Sequence, residues 1–232
     1  MEIRTIVEVR IGAPAERVWR ALREPQEIRR WFGWEHGGLD EEVEHIFLAG
    51  VEELAPGKQL RFKSVDTTFT VDDHGTHSVL RVTKRDRHED PGYDEIEEGW
   101  VSFLQQLRFG LEKHAGEERR TLFLSNPPRT PIERAKIARS GRPAFGSFAA
   151  LAQVPVGERY QLTAADALDG ELWFRSAHQL GVTFEQDAGL LVLGRPPDQA
   201  HGTGIVTVFG LDEAAFTALR ERWTAWWRGE NG

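Results

Sequence analysis

One order of elements, readable twice along the chain, constrains the fold more than any single motif. Residues 3–11, "IRTIVEVRI", alternate and set Ile3, Thr5, Val7, Val9 and Ile11 on one face of a half-buried strand. Pro14 stands where a helix can begin, and Val18, Ala21 and Leu22 follow at helical spacing. Pro25 stops that helix near Glu24, because the residue before a proline is pushed out of helical geometry. It also opens a second short helix, on which Ile28, Trp31 and Phe32 share a face. Strand candidates follow at "EEVEHIFLAG", "VEELAPGKQLRFKSV", "TTFTVDD" and "THSVLRVTKR", with Pro56-Gly57 and "DDHGT" as turns. A long helix then runs from Asp94 to about His114, opened by a capping-box pair, Asp94 and Glu97. Its stripe is Ile96, Trp100, Phe103, Leu104, Leu107 and Leu111.

The second pass repeats the plan. "RRTLFLS" reads as a strand, "NPPRTP" as a turn and "IERAKIARS" as a short helix. "ERYQLTA", "GELWFRSAHQLGVTFEQ", "GLLVLG" and "GTGIVTVFG" read as strands or hairpins. The closing helix, "DEAAFTALRERWTAWWRG", has Asp212 as N-cap and Leu211 with Phe216 as a hydrophobic staple. Charge changes at the same boundary. The net charge of −8 lies entirely within residues 1–117, while residues 118–232 balance acids with bases. The expectation is an α+β protein of two tandem units, residues 1–117 and 118–232, the second a diverged copy of the first.

Composition removes several chemistries. There are no cysteines, so disulfides, cysteine-ligated metals and thiol catalysis are excluded, and a reducing cytoplasm fits. No apolar run approaches the ~20 residues that cross a bilayer, and the opening residues do not read as a secretory signal. A net acidic chain without a basic cluster argues against nucleic acid. The expectation is a soluble cytoplasmic protein with neither nucleic acid nor membrane as partner.

The first pass resembles a known family. "VRIGAPAERVWRALREPQEIRRWF" is similar to the opening of START-like, helix-grip domains of the SRPBCC superfamily. It is most similar to the branch named for homologues of the activator of the heat-shock-protein ATPase. The residues that carry the likeness are Ala13, Pro14, Val18, Trp19, Trp31 and Phe32, with Gly99 and Trp100 entering the long helix. The resemblance covers residues 1–115. The second pass matches only in element order and in its closing helix. The resemblance implies a curved antiparallel sheet gripping the long helix, with a cavity between. It also implies apolar small-molecule binding, cyclase-like or related enzymology, or contact with chaperones. It carries no universal catalytic residue.

The candidate ligand-binding residues are Trp31, Trp34, His45, Phe47, Phe62, Leu80, Trp100, Phe103 and Leu107. On the strand reading His45 shares a face with Val43 and Phe47, so it is also the candidate acid or base of an enzymatic alternative. Phe47, Leu60, Phe62, Leu80 and Val82 are placed to face the Trp100–Leu107 stripe. Large aromatics can wall such a space or fill it. "DDHGTH" holds Asp72, Asp73, His74 and His77, but at a spacing that matches no metal motif and suits a hairpin turn. The glycines of "HGTGIVTVFG" precede a strand where a nucleotide loop needs a helix. No metal and no cofactor is expected. The leading expectation is binding of an apolar or aromatic small molecule by residues 1–117. The alternatives are a protein-interaction or chaperone-regulating module, and a cyclase-like or hydrolase-like enzyme.

Overall fold

The computed structural model describes residues 3–85, 93–125, 130, 146–184, 188–195 and 202–231. The chain divides into two compact units, Met1–Glu117 and Glu118–Gly232. In unit 1 the order is β1 (Ile3–Ile11), α1 (Ala15–Arg23), α2 (Pro25–Ile28), α3 (Leu39–Val43), β2 (Val51–Ala55), β3 (Gln59–Phe62), β4 (Thr67–Asp73), β5 (Ser78–Arg85) and α4 (Glu95–Lys113). The sheet is antiparallel, in the order β1-β5-β4-β3-β2, so the first strand lies beside the last.

Local chemistry sets these boundaries. Glu24 is extended, with ψ at 123°, and Pro25 takes the first position of α2. Gly57, with φ at +68°, makes the turn between β2 and β3. The Asp94 carboxylate accepts from the Ile96 and Glu97 amides, at 2.8 and 3.3 Å, and caps α4.

Helix α4 lies along β1 in the same direction. Glu97 near its start meets Arg4, and Glu112 near its end accepts from the Gly12 amide at 2.7 Å. Between those ends Trp100, Leu104 and Leu107 pack on the sheet face carrying Val9, Leu60, Phe62, Phe69, Leu80 and Val82. This is a sheet clasping its last helix.

Three expectations fail locally in unit 1. The pairing of β1 with β5 slips by one residue between Thr5 and Val7. Because side chains alternate with period 2, the extra residue reverses the facing of everything before it. Ile3 is 69% exposed and Thr5 is exposed, whereas Val9 and Ile11 are buried. Arg4 turns instead toward α4 and pairs with Glu97 at 2.7 Å. The second failure is the strand expected at 41–50. Leu39–Val43 is α-helix, continued by a turn of π-helix over Glu44–Leu48. Leu39, Val43, Ile46 and Phe47, all buried or half-buried there, recur at helical spacing, with half-buried Leu48 beside them. Ile96 also leaves its expected stripe, being 58% exposed in the first turn of α4.

Unit 2 contains β6 (Arg119–Ser125), a 3₁₀ segment (Gly146–Gln153), β7 (Arg159–Thr163), β8 (Ala167–Arg175), β9 (Gln179–Phe184), β10 (Gly189–Gly194), β11 (Thr203–Phe209) and α5 (Glu213–Asn231). Its sheet runs β6-β11-β10-β9-β8-β7, again with first strand beside last. The short helix expected at "IERAKIARS" lies outside the described residues. Asp212 caps α5 by accepting from the Ala215 amide at 2.8 Å. Phe216, Leu219, Trp223 and Trp227 of α5 pack on Leu180, Val182, Phe184, Leu191, Val206 and Val208. The molecule is therefore α+β, with two units that each set an antiparallel sheet against a long C-terminal helix.

Candidate functional site

The interior of unit 1 is built from aromatic side chains brought by separate elements. Trp31 and Phe32 arrive on the turn after α2, Phe47 on the π-helical turn, Phe62 on β3, Phe69 on β4, and Trp100 and Phe103 on α4. Trp31 is held in place: its indole N–H donates to the Ala21 carbonyl at 2.9 Å, in a buried setting. That bond ties the aromatic turn to α1.

The rings form a connected ladder. Trp34 and Phe103 have centroids 6.3 Å apart, Phe103 and Phe32 5.0 Å, and Phe32 and Phe47 4.8 Å. Phe47 continues to Phe62 at 5.1 Å, and Phe62 to Phe69 at 4.9 Å. Trp100 stands among them, 5.1 Å from Phe69 and 6.1 Å from both Phe32 and Phe47. Most pairs meet edge to face, the arrangement the ring quadrupole favours. Trp34 and Phe103 are half-buried, and the remaining rings are buried.

Of the residues singled out from sequence, Trp31, Phe47, Phe62, Leu80, Trp100 and Leu107 are buried in one cluster, with Phe103 packed against it. Trp34 stands at its rim. His45 is not among them. It is exposed, because on a helix it points away from Val43 and Phe47, which lie four residues apart on the opposite side. It therefore lacks the pocket position that an acid or base there requires.

Phe32, Phe69 and Thr67 are also buried in this interior and were not among the candidates. The last two follow from extending the alternation of "TTFTVDD": Thr67, Phe69 and Val71 are its buried positions. Across the sheet Thr67 pairs with Phe62 on one side and Lys84 on the other. Lys84 thus faces the helix side and bonds to Asp94 at 3.1 Å and Glu97 at 3.3 Å. Burial alone would lower the Lys84 ammonium, but the hydrogen bonds and charges of Asp94 and Glu97 outweigh it and raise it above its ordinary value. Ions that satisfy one another thus close this end of the interior.

Other candidates resolve as local structure. His74 and His77 flank the β4–β5 turn with parallel rings 5.0 Å apart. Desolvation, then the charges of Arg10 and His74, lower the His77 imidazole. Among the described residues no group of three or more His, Asp or Glu is placed to hold a metal ion. His36 lies in the loop after the aromatic turn, its Nδ1 accepting from the Gly38 amide at 3.1 Å. No helix among the described residues is long and apolar enough to cross a membrane.

A sheet clasping a C-terminal helix over an aromatic interior is the arrangement that the resemblance of residues 1–115 implies. Residues 12–112, wholly within unit 1, match the family described as Activator of Hsp90 ATPase homolog 1-like protein. No curated protein matches the chain. Among solved structures, DynU16, a protein of the dynemicin biosynthetic locus, aligns over 98% of this chain and 95% of its own, at 16% identity and a TM-score of 0.34. The di-domain ARO/CYC StfQ of the steffimycin biosynthetic pathway aligns over 96% and 91%, at 8% identity and a TM-score of 0.32. Likeness at those TM-scores supports no functional inference.

Proposed function

We propose that unit 1 binds an apolar or aromatic small molecule among the rings between its sheet and α4, with unit 2 as a diverged structural copy. The observation that carries this reading is the ring ladder. It runs from half-buried Trp34 and Phe103 to buried Trp100, Phe62 and Phe69 without interruption. A planar ligand entering beside Phe103 replaces ring–ring contacts with contacts of the same kind, at ~0.5–1.5 kcal/mol per aromatic pair beyond area burial. Interiors of mostly apolar side chains with few polar atoms are the usual setting for small-molecule sites.

The test is solvent extraction and mass spectrometry of the purified full-length chain, followed by calorimetry with a panel of aromatic hydrocarbons. Saturable binding is expected, weakened about tenfold in Trp34→Ala through loss of one rim ring at the upper end of that aromatic contribution. Absence of saturable binding across the panel overturns the reading.

A second reading, a protein-interaction module acting on a chaperone, is favoured by the description of the matched family. On that reading the ring ladder is packing alone, and co-purification with a chaperone is expected in place of ligand uptake.

A further inference from the structure

Two buried polar atoms beside Phe69 find no hydrogen-bond partner among the described residues. The Trp100 indole Nε1 and the Thr67 hydroxyl are buried, in residues 2% and 1% exposed, and neither has a hydrogen-bond partner among the described residues. Buried donors left unpaired cost free energy, so each needs an explanation in terms of what it meets when the protein works. Both flank Phe69. Trp100 packs against the Phe69 ring at 5.1 Å, and Thr67 sits two residues before it on the same face of β4.

We infer that the ligand of unit 1 is an uncharged planar molecule bearing an oxygen acceptor, a carbonyl or ether, that receives the Trp100 N–H and the Thr67 hydroxyl beside Phe69. This rests on the reading of unit 1 as an aromatic-binding domain and names the chemistry that its interior selects. Neutrality follows from the neighbouring charges. Lys84, beside Thr67 on the sheet, is taken by Asp94 and Glu97, and Glu97 is taken again by Arg4 at 2.7 Å. A carboxylate ligand would bring a third acid to a site whose nearby cations are already paired, and a cation would have to compete with them. Flatness follows from the surrounding rings, which present faces and edges to whatever lies between them.

The experiment compares two probes of nearly equal shape, 2-acetylnaphthalene and 2-isopropenylnaphthalene, which differ in one carbonyl oxygen. Each is titrated by calorimetry into the full-length protein and into Trp100→Phe and Thr67→Val. Because the same two solutes are compared throughout, their hydration cancels, and the change in the ketone-to-hydrocarbon affinity ratio reports the hydrogen bonds. The ratio is expected to fall about tenfold in Trp100→Phe and by a smaller factor in Thr67→Val, as for the loss of one net hydrogen bond. Thr67→Val preserves shape and decides the question alone if Trp100→Phe does not fold. A ratio unchanged in the folded variants overturns the inference and leaves aromatic binding standing, with water as the partner of both atoms. Failure of both probes to bind the unmodified protein overturns the aromatic-binding reading and the inference with it, and binding of the hydrocarbon without the ketone overturns the inference alone.

Discussion

The two sheets share a strand order and differ in how they are covered. In unit 1, β4 and β5 alternate between buried and half-exposed positions, as a sheet with one solvated face does. In unit 2, β9, β10 and β11 are buried at nearly every position, on both faces. The sequences already differ in this sense: "TTFTVDD" and "SVLRVTKR" alternate, whereas "GLLVLG" and "TGIVTVF" are nearly continuous apolar runs. The strands of unit 1 contain no glycine, whereas those of unit 2 contain Gly170, Gly181, Gly189, Gly194 and Gly204. A Cβ at Gly181 would lie 2.1 Å from the Phe174 ring, and one at Gly189 2.1 Å from the Phe184 ring, each its cross-strand partner. Large rings therefore cover bare backbone in unit 2, while edge-to-face ring pairs beside the long helix occur in both units. One plan thus yields a sheet whose central strands are buried on both faces and another with one solvated face.

The comparison breaks most visibly at its largest side chains and tightest contacts. Phe69→Ala removes the ring that Phe62 and Trp100 pack upon and is expected to cost about 3–5 kcal/mol in denaturant unfolding. If the space beside Trp100 accepts aromatics, benzene recovers part of that loss; Phe184→Ala in unit 2 is the parallel measurement. Gly170→Ala would set a methyl 1.9 Å from the Thr183 carbonyl oxygen, a backbone atom that cannot swing aside. It is expected to cost about 3 kcal/mol, the upper end for overpacking. Gly50→Ala in unit 1, where nothing lies nearer than 3.8 Å, is expected to stay within about 1 kcal/mol. Equal melting curves for those two glycine variants would remove the claim that unit 2 is the more tightly sealed. Trp31→Phe leaves the buried Ala21 carbonyl without its indole donor and is expected to cost about 1–2 kcal/mol.

How much of this was legible in the sequence depended on whether the periodicity was local. The β4–β5 hairpin, the stop before Pro25 and the Asp94 and Asp212 caps all follow from residues within a few positions of one another. The helix at 39–48 was misread because "VEHIF" fits period 2 through Val43, His45 and Phe47, while only the longer set with Leu39 and Ile46 reveals period 3.6. That choice carried His45 into the candidate site, and the structure places it at the surface. The slip at Ile6 could not be read at all, since a bulge is decided by the partner strand and not by the strand that bends. Thr67 and Phe69 were legible in the alternation of "TTFTVDD", which puts both on the face of Val71, and the cross-strand pairs of Thr67, Phe62 and Lys84, show that this face is the one toward α4.

The smallest expected effect separates the openings of the two long helices. Asp94 and Asp212 cap α4 and α5 alike, but Asp94 also bonds to Lys84. Burial alone would raise the Asp94 carboxyl; the hydrogen bonds from Lys84 and from the Glu97 and Ile96 amides outweigh it and hold it below its ordinary value of 3.8. A carboxyl lowered on folding contributes stability that is complete above its unfolded value and vanishes as pH falls through the lower folded one. Lys84, raised above 10.5, contributes fully below that value and loses its contribution as pH rises through the folded one. Asp94→Asn keeps a capping oxygen and removes the ion pair. It is therefore expected to cost about 0.5–1 kcal/mol between about pH 5 and 9, with the gap to the unmodified protein closing on the acid side below 3.8. Asp212→Asn, with only the cap at stake, is expected to remain within about 0.5 kcal/mol throughout. Denaturant midpoints measured from pH 3 to pH 9 check both variants. Parallel pH profiles for the two would mean that the Lys84 pair adds nothing to the α4 cap, and that the two helices are entered on equal terms.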